Sequence, residues 1–245
     1  TGLRINSAKD DAAGLAIASR MTAQVSTLNM GVRNANDAIS MIQTVEGASK
    51  EITNMLVRMK ELAVQAASGT YSADDKGALD LEYEALKSEI DRVATNTKWN
   101  GDALMNGNAL KTIGVQLGDS AVNVTFKDWD KAGGASGTHV FASTTFNGSD
   151  LTASASAAIG ILDTAISSAT AEQAKYGSFI SSLTHAADNL ANVSANTDQS
   201  RSRIQDADYA VETTNLARTQ IIAQASTAML AQANQSKQSV LALLR

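Results

Sequence analysis

The 245-residue sequence contains no proline and no cysteine, and aromatic residues make up only 4% of it. Proline removes a helix hydrogen bond and clashes with the preceding turn. Its absence leaves very long, uninterrupted helices open to the chain. Without cysteine there is no disulfide framework and no thiolate metal site, and that absence suits a cytosolic and an external location equally. Few aromatics argue against a bulky globular core. The 44% of hydrophobic residues, mostly Ala, Leu, Ile and Val, must pack as small and branched side chains instead. No apolar run reaches the roughly eighteen residues of a transmembrane helix, and no signal-peptide pattern is present. The net charge of −5 argues against nucleic acid as a partner. Composition excludes a disordered chain, and the length suits one large domain or two small ones.

Site chemistry is equally sparse. The two histidines, His139 and His185, fall in different kinds of segment, and zinc would need more ligands than they offer. They read as structural. No Gly-x-Ser-x-Gly elbow, phosphate loop or dinucleotide fingerprint occurs. Asp128 to Gly133 resembles the opening of a calcium loop, but its fifth and twelfth positions would be Ala132 and His139, which do not ligate as needed. Asp10-Asp11, Asp74-Asp75, Asp206 and Asp208 read as helix-start acids, and nothing builds a glycosidic cleft around them. Arg201 and Arg203 read as part of a solvated or salt-bridged face rather than an anion site. The expectation is no catalytic residue, no metal, no cofactor and no enzyme.

What is present is periodicity. Ser7-Ala8-Lys9-Asp10 resembles a capping box. After it, Val25, Leu28, Val32, Ala35, Ile39 and Ile42 step alternately by three and four, the heptad spacing. At Glu46-Gly47 the phase slips and resumes through Val45, Ala48, Ile52, Met55, Met59, Leu62 and Ala66. Such a slip changes the supercoil without ending the helix, so the pattern predicts one helix over 8–68. Ser72 is the expected N-cap of a second helix running to about Thr95, with Leu79, Tyr83, Leu86, Ile90 and Val93 inward. The short connection makes the two helices antiparallel neighbours. Residues 97–101 end the helical run. Ile113, Val115 and Leu117, then Val122, Val124 and Phe126, alternate around Gly118-Asp119, a hairpin signal. Residues 131–137 read as a flexible loop and 138–146 as a possible further strand. From Ser156 to about Arg203 a third helix is expected, with Ile159, Leu162, Ile166, Ala169, Gln173, Tyr176, Ile180, Leu183, Ala187 and Leu190 inward. Asp206 or Asp208 then restarts a helix. The segment from Ala210 to Arg245 has only four charged residues, Glu212, Arg218, Lys237 and Arg245, and little to pack against alone.

One stretch, residues 55–70, carries too many faces. Met55, Met59, Leu62 and Ala66 form an apolar stripe, with Leu62 toward its edge. At about 100° per residue, Val57 and Val64 point nearly away from it, and Arg58, Glu61 and Gln65 lie between. A helix packed only into its own domain needs one apolar face. The Met41, Met55 and Met59 side chains read as core. The fold class is therefore mainly α with a small β region: a long antiparallel helical bundle or coiled coil with inserted β-hairpins. The pattern is that of an assembling subunit.

The segments beginning TGLRINSAKDDAAG, RNANDAISMIQTVEGA, ELAVQAASGT and EIDRVATNTKWNG resemble the N-terminal region of bacterial flagellin. The stretch from Ser200 to the terminal Leu-Leu-Arg resembles its C-terminal region. Hook–filament junction proteins share the architecture but tend to carry Ser-Asp-Asp-Pro where this chain has Lys9-Asp10-Asp11-Ala12. The resemblance implies an extracellular filament subunit, exported through the flagellar secretion channel, that polymerises with itself into a helical tube for motility. Its partners would be an export chaperone, cap and junction proteins, and a vertebrate innate immune receptor. No nucleic acid and no membrane insertion are expected. The implied division is 1–102 for the N-terminal long helices of a rod-like domain, 103–155 for a central β-hairpin and loop region, 156–205 for its C-terminal helix and 206–245 for a terminal coiled-coil assembly segment. The family's opening segment is not in the sequence, so 210–245 is expected to fray without its partner or to be ordered only by assembly. By residue, Arg58, Glu61, Leu62 and Gln65 match the receptor-read motif, with Glu82 facing it. Val57, Met59 and Lys60 depart from its commonest form. Val57 and Val64 are assigned to the self-assembly interface. A flagellin-like adhesin using residues 103–148 to bind glycans is the alternative from another class.

Overall fold

The computed structural model of the chain describes residues 2–106, 110–129, 139–141 and 150–243, with side chains given to residue 234 in the last helix. The elements are α1 (Ala12–Ala67), α2 (Ala73–Asn96), β1 (Lys98–Trp99), β2 (Asp102–Ala103), β3 (Lys111–Leu117), β4 (Ser120–Phe126), α3 (Leu151–Gln205) and α4 (Tyr209–Leu243). They divide into two compact units, residues 26–194 and residues 1–25 with 195–245.

In the larger unit α1 and α3 run antiparallel. Ser194 Oγ meets Asn29 Oδ1 at 2.8 Å, Gln173 Nε2 donates to Thr53 Oγ1 at 2.9 Å and Lys60 pairs with Asp163 at 2.5 Å. Positions thus rise on one helix as they fall on the other. α1 passes Gly47 without a break, as the shifted heptads predict. Its buried stripe is wider than expected. Leu56 and Ala63 are fully buried beside Ile52, Met59, Leu62 and Ala66, while Met55 is only half-buried. The reason is that α1 is covered by both α2 and α3, so two adjacent heptad seams are sealed. Leu62, expected at the edge, is 1% exposed and belongs to the core.

α2 starts where the sequence places it. Ser72 Oγ accepts from the Asp75 N–H at 3.2 Å, and the Asp75 carboxylate accepts from the Ser72 N–H at 3.0 Å. This reciprocal box satisfies two of the donors that a helix start leaves open. Tyr83 and Ile90 are buried, Leu79, Leu86 and Val93 half-buried, and Lys87 is buried too, pairing with Glu84 at 2.6 Å.

β3 and β4 form the expected hairpin, with Ile113 opposite Val124 and Val115 opposite Val122. Gly118 supplies the positive φ of 74° at the turn. Val115, Leu117, Val124 and Phe126 face the core. Beyond β4, Asp128 makes an isolated parallel bridge with His139. Residues 139–141 form no strand, and the rest of the strand expected over 138–146 lies outside the described residues, as does the 131–137 loop.

α3 begins at Leu151 rather than near Ser156. Asp150 Oδ1 caps the Thr152 and Ala153 N–H groups, and Asp80 Oδ1 accepts from Leu151 N at 3.1 Å. A non-helical Ser154 (φ −157°, ψ 60°) interrupts the first turn. Leu162, Ala169, Tyr176, Leu183 and Ala187 are buried as expected, but Ile159, Ile166, Gln173, Ile180 and Leu190 are half-buried while Ala158, Ala165 and Glu172 are sealed. The stripe is centred closer to the small residues because they let α3 approach its neighbours. Glu172 is held by Lys127 at 2.9 Å and Lys175 at 2.6 Å. One stretch of α3 is long and apolar enough to cross a membrane by composition. Its apolar residues instead form a core stripe at three- and four-residue steps.

In the smaller unit the segment before α1 lies along the end of α3. Arg4 N donates to Gln205 O at 2.7 Å and Ala207 N to Gly2 O at 2.9 Å. Ser7 and Asp10 do bond each other, yet α1 starts only at Ala12. Asp11 is the actual cap, accepting from the Ala13 and Gly14 N–H groups at 3.0 and 2.9 Å. Of the two acids proposed to restart the helix, Asp208 does so, accepting from Ala210 N at 2.9 Å. α4 is a continuous helix from Tyr209 to Leu243. It has no Gly or Pro and is rich in Ala, Leu and Gln, the strongest helix formers. As far as residue 234 its apolar side chains are uncovered, with Leu216 at 58%, Ile221 at 65% and Met229 at 71% exposure.

Candidate assembly and recognition surface

The last turns of α1 have one sealed face and one open face. Leu56, Met59, Leu62, Ala63 and Ala66 are buried, whereas Val57 is 45% and Val64 54% exposed. The two valines are seven residues apart, two helical turns, so they share one side. Next to them Arg58 Nε donates to Glu82 Oε1 on α2 at 2.9 Å, and its terminal nitrogen donates to Glu61 Oε2 at 3.0 Å. These bonds, that to Glu82 foremost, hold the guanidinium above its ordinary pKa. All three side chains stand in solvent, so the pairing orders the groups more than it stabilises the fold. Gln65 Nε2 donates to the Tyr71 hydroxyl at 3.1 Å. Lys60 turns away to Asp163 on α3.

The structure therefore brings Arg58, Glu61, Gln65 and Glu82 onto one exposed surface flanked by Val57 and Val64. Leu62 lies beneath it and supports the helix from inside. Sequence reasoning missed Tyr71, which anchors Gln65, and Leu81, which is 75% exposed on α2. Leu81 lies off the Leu79–Tyr83–Leu86–Ile90 stripe just as the valines lie off theirs, and the same test would have found it.

The surface offers donors, acceptors and apolar contacts, but no nucleophile beside a base. Among the described residues no three His, Asp or Glu side chains gather as a metal site. The candidate calcium stretch lies largely outside the described residues. His139 is buried 3.9 Å from the Asp128 carboxylate.

Residues 1–109 match the bacterial flagellin N-terminal helical region, and residues 159–244 match the bacterial flagellin C-terminal helical region. The chain belongs to the bacterial flagellin family. It is 40% identical to a flagellin of Halalkalibacterium halodurans over 247 aligned positions, covering 100% of this chain and 89% of the relative. Flagellin C of Vibrio cholerae aligns at 33% identity over 343 positions, covering 100% and 91%. The longer alignment means that the Vibrio relative carries inserted residues that this short form lacks. The crystal structure of Bacillus cereus flagellin superposes with a TM-score of 0.55 at 36% identity, covering 64% of this chain and 88% of that one. A putative flagellar hook-associated protein from Vibrio parahaemolyticus shares the fold, with a TM-score of 0.65 at 13% identity over 80% of this chain and 100% of that one. The chain is a structural subunit of the bacterial flagellar filament, and nothing favours the adhesin or junction-protein alternatives.

Proposed function

We propose that this subunit polymerises outside the cell through α4 and through the open face of α1, and that the same α1 face is what an innate immune receptor reads on a free subunit. The observation that carries the reading is the pair Val57 and Val64, left in water on a helix whose other face is already sealed. A neighbouring copy that covers them gains about 25 cal/mol for each Å² of apolar surface removed from water. Contacts of this kind join different patches on the two copies and do not close, so they propagate as an open helical filament. Small shifts between packed helices would then give alternate strand lengths and supercoiling.

α4 adds the second contact. Its apolar side chains are exposed around the helix as far as residue 234, which supports burial against other helices once the filament forms and a covering chaperone during export. Cap and junction proteins would meet the same ends of the assembly. The immune reading rests on Arg58, Glu61, Gln65 and Glu82, which are exposed in the single subunit and would be hidden in the filament.

Seeded growth tests assembly. Subunits added to sheared filament seeds should elongate them in electron micrographs, and Val57→Asp with Val64→Asp should stop elongation while leaving the helical circular dichroism in place. Elongation at the normal rate by that double variant would refute the role of the face.

A further inference from the structure

A groove of about 380 Å³ lies in the larger unit between α1, the β1–β2 turn and β3, away from the Arg58 surface. Asn34, Asp37 and Met41 form its helical wall, at the three- and four-residue steps of one helix face. Asn34 Nδ2 donates to Gln116 O at 2.9 Å and ties that wall to β3. The opposite rim is set by the turn. Asn100 (φ 50°) and Gly101 (φ 89°) are both left-handed, the requirement of a two-residue hairpin turn. That turn makes Trp99 and Asp102 direct partners across the ladder, so their side chains leave one face with Cβ atoms about 5 Å apart.

The groove thus presents an indole and two carboxylates. Asp37 forms no ion pair with another described residue. Asp102 has one ion partner, Lys111, whose Nζ stands 3.7 Å away and also donates to Ala103 O at 2.8 Å, and its side chain is 82% exposed, so a second cation can reach it. A tryptophan face attracts cations most strongly of the aromatic side chains, and carboxylates add charge-assisted hydrogen bonds to a guanidinium or ammonium. The volume takes one long side chain rather than a helix or strand.

We propose that this groove seats an arginine or lysine side chain of a second copy of this chain, held between the Trp99 indole and the Asp37 and Asp102 carboxylates. Charge complementarity supplies the occupant: Lys50, Arg203 and Arg218 are exposed cations that pair with no described carboxylate of their own chain. The inference rests on the filament reading, in which copies of the chain pack against one another.

Two measurements on the full chain test it. In the first, N-acetyl-arginine amide and its uncharged shape match, N-acetyl-citrulline amide, are titrated while the indole N–H resonances are followed. Only two tryptophans are present, and Trp129 is fully buried and donates to the Tyr176 hydroxyl at 3.1 Å, so Trp99 is the reporter. The arginine derivative should shift Trp99 and the citrulline derivative should not, and Asp37→Asn with Asp102→Asn should abolish the shift. In the second, the same double variant should elongate seeds about threefold more slowly at low salt, the size expected of an exposed ion pair, with the gap closing near 0.5 M salt as screening takes over. The swaps keep shape at exposed positions, so an unchanged melting temperature certifies the fold. Equal shifts by both probes, or none by either, would overturn the cation site. Binding of the arginine derivative with a wild-type elongation rate in the double variant would overturn the second copy as its source. Wild-type protein that never elongates seeds would overturn the filament reading and this inference together.

Discussion

Arg58 and Leu62 lie one helical turn apart on α1, and burial separates their roles. Leu62 is 1% exposed, so Leu62→Ala opens a cavity and should cost about 2–5 kcal/mol, read as a lower urea midpoint with the slope unchanged. Arg58 stands in solvent between Glu61 and Glu82, so Arg58→Ala should leave the melting curve in place. In a receptor reporter assay at matched folded concentration, Arg58→Ala should signal less, while the loss from Leu62→Ala should track its unfolded fraction. Equal signalling by Arg58→Ala and wild type would count against the assigned contact. The Ser72–Asp75 box gives a second test. Ser72→Ala should cost about 1 kcal/mol. The hydrogen bonds from Ser72 hold the Asp75 carboxyl below its ordinary pKa of 3.8. A depressed folded pKa means that this stabilisation is fully present above the unfolded value and is lost as the pH falls through the folded one. In Ser72→Ala, stability measured from pH 5 down to pH 2 should therefore fall less steeply than in wild type.

Between elements, α1 approaches the β3–β4 turn closely at Gly31. A Cβ built on Gly31 would meet Gly118 N at 2.8 Å and the Leu117 carbonyl carbon at 3.2 Å. Gly31→Ala should therefore destabilise the larger unit, although alanine is the better helix former by about 1 kcal/mol; a raised melting temperature would contradict this. No local pattern announced that contact, because it depends on where a hairpin some ninety positions away is folded back. The hairpin itself was legible, since Ile113, Val115 and Leu117 alternate against Val122, Val124 and Phe126 and a glycine marks the turn. The helices were legible in extent but less so in facing. Heptad reasoning looks for one seam, and α1 seals two, so Leu56 and Ala63 went unseen. Lys87 and Glu172 were hidden by the rule that charges stay outside, which ion pairing with Glu84, Lys127 and Lys175 relaxes. Ser7–Asp10 and Ser72–Asp75 show the same local chemistry with different outcomes. The second opens a helix, whereas after the first the chain makes one more turn and Asp11 caps α1 instead. Of the candidate surface, the outward valines were readable from angular position alone. The burial of Leu62 was not, because it needs α2 and α3 in place.

For the molecule as a whole, the division into units separates stability from assembly. The large hydrophobic cluster runs from Ala35 to Ala187, all within the unit of residues 26–194. A chain ending before Tyr209 should keep its cooperative unfolding transition and lose seeded elongation. Loss of the transition would mean that α4 helps to hold the core. The absence of cysteine allows the most direct test of all. Val64→Cys creates a single thiol on the open face of α1, and its rate of reaction with a maleimide can be compared in free subunits and in filaments. The free subunit should label readily and the filament should be strongly protected. Equal labelling in both states would contradict the claim that a neighbouring subunit covers this face.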